Sequence, residues 1–437
     1  MIDIRQFFQM TNPSRTLDLS QADDQALYID FSAVRGEEII EELKSQISFF
    51  SPEDPTCLLF TGHIGCGKST ELLRLKSELE ADGFFVVYFE SSEDLELADV
   101  DISDVLLAIA KRVSNSLDQI SLGEARRLKK LLQGAAKILM TEIELEGEAE
   151  LSLPAGIGKI TARAKSDVTL RDRLNQYLGP QKNQLLEAIN TELLEPAIAQ
   201  LKAQGKRGLV VIVDNLDRVD NRPKSFGRPQ QEYLFIDQYE CLVKLACHKV
   251  YTLPLALKFS GEYGLLTQRF PDEPKVLPMV PVQLPDGERC EAGLALLRQM
   301  IVARALPSGS AAERQAALGT MFDSPDSIDR LCLASGGHVR DLLRLLNDWI
   351  KKCRQFPLTL EKLEDVIRSR RNEMAITIDD DEWEMLRQVR SRKKVSGDRD
   401  YQTLIRSRLV FEYRNHGESW FDVNPILLAA PELNQKD

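Results

Sequence analysis

Eight consecutive residues, Gly62, His63, Ile64, Gly65, Cys66, Gly67, Lys68 and Ser69, carry the most specific chemistry in the chain. They fit the pattern G-x-x-x-x-G-K-[ST] at every fixed position. Glycines let successive backbone N–H groups turn to one side, forming a nest for an anion at the start of a helix. Lys68 then reaches the β- and γ-phosphates of a nucleoside triphosphate, and the Ser69 hydroxyl offers a ligand to Mg²⁺. Thr70 and the backbone of Gly67 extend the hold to the α- and β-phosphates. An apolar, β-prone stretch precedes the loop (PTCLLF, 55–60) and a helical pattern follows it (STELLRLKSEL), so an accidental glycine turn is a poor reading.

Such a loop needs a carboxylate at the end of a neighbouring strand to hold the magnesium water shell. Asp214 ends the apolar run LVVIV and fills that place. The next residue, Asn215, cannot take up a proton, which leaves Asp217 either as the group that polarises an attacking water or as a helix cap. Thr252, in HKVYTLPLALKF, falls beside Asp214 if the two strands are neighbours; its hydroxyl then bonds the γ-phosphate or the water, or is an ordinary β-branched strand residue. Arg340 lies in the first turn of a helix after Gly336-Gly337, positioned either to touch a γ-phosphate across a cleft or to pair with Asp341 or Asp348.

The elements that must position these residues are short apolar strands between helices: 55–60, FFVVYF at 84–89, LVVIV at 209–213, and HKVYTLPLALKF. That alternation predicts an α/β fold, a parallel sheet with helices on both faces. The long stretch between Lys68 and Asp214 holds an insertion at about 124–204. Within it EIELEGEAELSL (142–153) and KITARAK (159–165) alternate with period two around Pro154-Ala155-Gly156-Ile157-Gly158, which predicts a charged hairpin. Residues 287–373 read as a helical lid, and 374–437 as helices closed by the hairpin arms VFEYRN and ESWFDVN, a small winged-helix-like domain. The division is therefore a lead segment at 1–27, a core at 28–286, the lid, and the C-terminal unit.

The chain is 437 residues long, with 43% hydrophobic and 28% charged residues and no apolar run of membrane-spanning length, the profile of a soluble globular protein. Met1-Ile2-Asp3 lacks the start of a signal peptide, and seven cysteines without C-x-x-C or zinc spacing indicate neither disulfides nor a metal cluster, so a cytoplasmic location is expected. The net charge of −12 argues against wrapping nucleic acid with the whole surface, while leaving room for a local basic patch.

With the glycine-rich loop, the DNLD strand end, the strand holding Thr252 and the helix GGHVRDLLRLL in that order, the chain resembles the STAND and AAA+ branch of P-loop ATPases over about residues 28–430. It looks closest to bacterial STAND-like ATPases of conflict (antiphage) systems, with initiator-type AAA+ proteins carrying a winged helix as relatives. The resemblance implies Mg²⁺-ATP as ligand, Asp214 as the Walker B carboxylate, Thr252 as sensor 1, Arg340 as sensor 2, and Val34-Arg35-Gly36 near the adenine. Arg269, in LLTQRFPDEP before a strand PMVPVQL, falls where some relatives place an arginine finger acting on a neighbouring subunit, or is a helix-end arginine. Two departures matter: Asn215 stands where a glutamate is usual, which implies slow hydrolysis, and no repeat sensor follows the winged helix. The expected function is a slowly hydrolysing ATP-driven switch that forms homo-oligomers and controls a separate effector protein. The rival is a DNA-binding AAA+ ATPase using the basic run Arg387, Arg390, Arg392, Lys393, Lys394, Arg399, Arg406 and Arg408, which otherwise is a solvated helix face.

Overall fold

The computed structural model describes residues 2–36, 38–117, 125–139, 153–396, 399–415 and 418–435. Five strands form the central sheet: β1 (Cys57–Gly62), β2 (Phe85–Glu90), β3 (Leu209–Asp214), β4 (His248–Leu253) and β5 (Lys275–Leu277). All pair in parallel, in the order β2-β3-β4-β1-β5. Alternate residues feed opposite cores, as a pleated strand requires. Leu58, Phe60, Val210 and Ile212 meet Leu72, Leu75 and Leu79 of α1 (Lys68–Ala81), whereas Leu59, Val211 and Val213 meet a second helical layer. This is a P-loop NTPase fold, and the order places β3 and β4 side by side behind the loop that follows β1.

Three sequence expectations are corrected. KITARAK is not a strand: it lies in α2 (Leu153–Ser166), and residues 142–152 of the other arm lie outside the described residues. Ile157, Ile160, Thr161 and Ala164 are buried at helical spacing, and this stripe outweighs the alternation, which seven residues are too few to separate from a helix. PMVPVQL forms no ladder strand, since β5 ends at Leu277 and Pro278 and Pro281 lack the N–H that a ladder needs. The strand of HKVYTLPLALKF stops at Leu253, where Pro254 leads into a 3₁₀ turn, Leu255–Phe259.

Helices Glu291–Ala305, Ala311–Met321, Pro325–Ser335, α3 (Val339–Cys353) and Leu360–Ala375 share one core around Trp349, Leu346 and Met321. Phe7, on the helix Ile4–Met10, and Phe31 join that core, so the lead segment packs on the lid. Beyond it, helices Asp380–Arg392 and Arg399–Arg406 pack with an antiparallel hairpin, β6 (Val410–Asn415) and β7 (Glu418–Val423), registered Tyr413 to Trp420. Among the described residues no helix is long and apolar enough to cross a membrane.

Candidate functional site

At the C-terminal ends of the strands a cleft is bounded by Ile64 to Glu71, Asn215, Asp217, Arg218, the α3 residues Val339, Arg340 and Leu343, and residues of the N-terminal stretch from Pro13 to Phe31. Gly65 and Gly67 adopt φ of +97° and +112°, a region that L side chains rarely enter, which is what the glycine pattern anticipates. Lys68 Nζ donates to the carbonyls of Gly62 (2.7 Å) and His63 (3.0 Å) and sits 2.9 Å from Asp217 Oδ2. Burial works against the ammonium, yet the adjacent Asp217 and further acceptors carry its pKa above the ordinary lysine value.

Asp214 lies at the end of β3, where its carboxylate accepts from Tyr88 Oη (2.8 Å), from the N–H of Asn215 (2.6 Å) and from the Ser69 hydroxyl. Burial, followed by the neighbouring charge of Asp217, raises its pKa against those bonds. Asp217 Oδ1 is buried without a hydrogen-bond partner among the described residues. An orphaned carboxylate oxygen beside Lys68, with Ser69 and Asp214 adjoining, fits a hydrated divalent cation, which would satisfy it. Ser69 and Asp214 would hold the magnesium and Lys68 the phosphates; the metal supplies charge neutralisation.

Thr252 is beside the Asp214 turn, as strand adjacency requires. Its Oγ accepts from the N–H of Leu216 (2.8 Å) and Asp217 (3.3 Å), so it fixes the turn that presents Asp217. Arg340 borders the cleft opposite the loop, and no ion pair is recorded for it among the described residues: Asp341 engages Arg344 and Arg408, and Asp348 engages Lys351. Burial, then the nearby charges of Arg218, Arg408 and Arg344, depress its pKa, an environment that an anion would relieve.

Arg35 is buried beneath the loop, donating Nη2 to the Cys66 carbonyl (2.8 Å), with Glu71 at 3.8 Å. Val34 packs against the lid core rather than bordering the cleft. Cys66 is fully buried with its thiol toward the Leu277 carbonyl (3.7 Å), and Thr70 borders the cleft. His63 turns away from the cleft, and its Nε2 accepts the N–H of Glu412 on β6 at 3.0 Å. Burial, aided by His338 and Lys68, holds its pKa well below the usual histidine value. Arg269 is not brought into the cleft; its guanidinium lies 5.1 Å over the Tyr239 ring and bonds the Ile236 carbonyl.

Three site groups escaped sequence reasoning. Glu90 pairs in register with Asp214 and accepts from Asn215 Nδ2 at 2.7 Å, placing a second carboxylate at the strand ends. Tyr28, at the start of the core, and Arg304, in the lid, border the cleft. Burial lowers the Arg304 pKa to about 10, and its Nη1 bonds only the Met300 carbonyl of its own helix (2.9 Å) among the recorded partners. Glu90, one position past an apolar strand, carried a legible signal; the other two depend on tertiary placement.

Residues 37–224, somewhat under half of the chain, match the profile of the KAP family P-loop domain. The core is a P-loop NTPase domain. The NTPase is similar in structure to a Walker-type ATPase of Pyrococcus abyssi, at 12% identity and a TM-score of 0.43, covering 96% of this chain and 98% of that one. It is similar also to the Aeropyrum pernix ORC1 protein in complex with DNA, at 14% identity and a TM-score of 0.35, covering 91% and 92%. No curated protein matches the chain.

Proposed function

We propose that the protein is an ATP-binding, slowly hydrolysing switch, in which a third phosphate biases the lid through Arg340 and so controls assembly with further copies and a separate effector. The supporting observation is that Arg340, without a recorded ion pair and crowded by other cations, faces the cleft that Lys68 and Asp217 share. Ser69 and Asp214 take the magnesium ligand roles, Asp217 the polarisation of water, and Asn215 in place of a glutamate accounts for slow turnover. A role for Arg269 would require a neighbouring subunit, consistent with its position outside this chain's own cleft. Defence against phage is the biological setting that the resemblance favours.

Arg340→Ala tests this reading. The variant is expected to bind ADP like the parent and to lose the ATP-specific change in compaction or assembly, measured by small-angle scattering with ADP and with a non-hydrolysable ATP analogue. One charge-assisted bond present only with the third phosphate is worth on the order of 1.5–3 kcal/mol, enough to move a balanced equilibrium more than tenfold. A full ATP-dependent response in the variant would sink the assignment. The DNA-binding alternative rests on the exposed Arg390, Arg392, Lys394 and Arg406, but Arg387, Lys393 and Arg408 of the same run are spent on Glu384, Asp422 and Asp341. Salt-dependent duplex binding would favour it.

A further inference from the structure

Three consecutive carbonyls of the phosphate loop are gripped from outside. Ile64 O meets His338 Nε2 at 2.9 Å, Gly65 O accepts the backbone N–H of Arg340 at 3.1 Å, and Cys66 O accepts from Arg35. A trans peptide sets its C=O and N–H on opposite sides, so each outward carbonyl turns the following amide inward. The Cys66 amide closes back on His63 O (3.2 Å), which leaves those of Gly65 and Gly67 as the pair directed to the side of Lys68.

His338 is fully buried at the N-terminus of α3, and burial holds its pKa below the ordinary histidine value. A carbonyl can only accept, so Nε2 carries the proton and Nδ1 accepts the N–H of Asp341 at 3.0 Å, capping the helix. The ring stacks on Phe411 of β6, 5.6 Å between centroids and 11° between planes. Tyr413 Oη donates to Gly336 O (2.9 Å), fixing the turn before it. The fit on the loop is close: a Cβ at Gly65 would stand 2.7 Å from His338 Cε1.

We propose that His338 is a positioning residue for diphosphate binding: from the lid it holds the Ile64–Gly65 peptide so that the Gly65 amide faces the cradle. Lid docking and nucleotide binding are then coupled before any third phosphate is sensed. This rests on the nucleotide-binding reading above, but it differs from the role of Arg340 in its ligand dependence. His338 acts on the part of the ligand that ADP and ATP share, and Arg340 on the part that only ATP has.

The experiment is calorimetric titration of parent, His338→Asn and His338→Ala with ADP and with a non-hydrolysable ATP analogue, alongside melting of the nucleotide-free proteins. Asparagine can still cap the helix but is too short to reach Ile64 O. Both variants are expected to lose affinity about three- to tenfold, as one hydrogen bond implies, by the same factor for both nucleotides, with His338→Asn melting close to the parent. Parent-like affinity in His338→Asn would overturn the proposal, leaving His338 as a helix cap. A loss confined to the ATP analogue would overturn it too, because His338 would then act through the third phosphate. Absence of ADP binding by the parent would overturn both this and the reading beneath it. Should His338→Asn melt well below the parent, His338→Gln decides: recovered affinity for both nucleotides supports the bond to Ile64 O, and no recovery refutes it.

Discussion

Replacing Asp217 by asparagine should make ADP bind more tightly, an outcome opposite to that expected for most acidic residues in a binding cleft. Lys68 and Asp217 form an ion pair at 2.9 Å with side chains only 6% and 3% exposed. Removing one partner of a buried pair costs about 3–5 kcal/mol, because the remaining charge stays buried. Here Gly62 O, His63 O and the neighbouring Asp214 still face the ammonium, which brings the expected cost in the nucleotide-free protein down to about 2–3 kcal/mol. Phosphate groups would take the place of Asp217 beside Lys68, so most of that cost should vanish once nucleotide is bound. By linkage, a cost of about 2 kcal/mol present only without ligand is roughly a thirtyfold gain in affinity. The assay is ADP titration without added magnesium, which isolates the exchange of counter-ions, together with melting of both proteins with and without ADP. Hydrolysis measured with magnesium should fall, since asparagine cannot polarise water by accepting a proton. Equal destabilisation with and without ADP, or weaker ADP binding, would refute the reasoning.

Lys68→Ala should weaken ADP and ATP roughly a hundredfold by removing the charge-assisted bond to the phosphates; titration calorimetry on folded protein checks this, and unchanged affinity would overturn the central assignment. Asp104, the capping-box residue at the start of the helix Ile102–Ser116, is pushed up to about 7 by burial, against the bond it accepts from the Asp101 N–H. A folded pKa above the unfolded value near 4 means that its contribution is full below pH ~4 and is lost as pH rises through 7, on the order of 4 kcal/mol. Asp104→Asn keeps an acceptor for Asp101 and should flatten this part of the pH dependence, read as unfolding midpoints from pH 4.5 to 8; superimposable profiles for parent and variant would rule it out.

How much was legible follows from where each signal resides. Gly62 to Ser69 form one contiguous segment whose chemistry needs no partner to be recognised, and Asp214 ends an apolar run whose depth in the sheet its composition announces. Thr252 was legible only conditionally, since its value depended on β4 lying beside β3. KITARAK failed for a different reason: Ile160 and Ala164, four apart, satisfy both periods over so short a window, and the burial of Thr161 that decides for a helix comes from packing against other helices. Arg35 was expected near the base; the structure shows a tie that the sequence did not announce, to the Cys66 backbone carbonyl 31 positions away, with Glu71 nearby. His338 and Glu412 were invisible as loop contacts because nothing in either local sequence encodes the carbonyl or imidazole that each meets.

The same contacts constrain how a switch of this architecture can work. Arg340 already donates its backbone N–H to Gly65 O, and His63 already receives Glu412 from the C-terminal hairpin. The lid and the hairpin are therefore both fastened to the loop by bonds that do not involve a third phosphate. A ligand shifts a two-state equilibrium only by the free energy with which it prefers one state. In the proposed switch a third phosphate then need not create the docked form; it need only change the preference by the proposed Arg340 contact, while the shared diphosphate would act through the loop backbone. Two routes with separate ligand dependence give four measurable affinities, ADP and ATP each with and without the His338 bond. If the routes are independent, the loss on breaking that bond is equal for both nucleotides. If they are one route, the loss grows when the third phosphate is present.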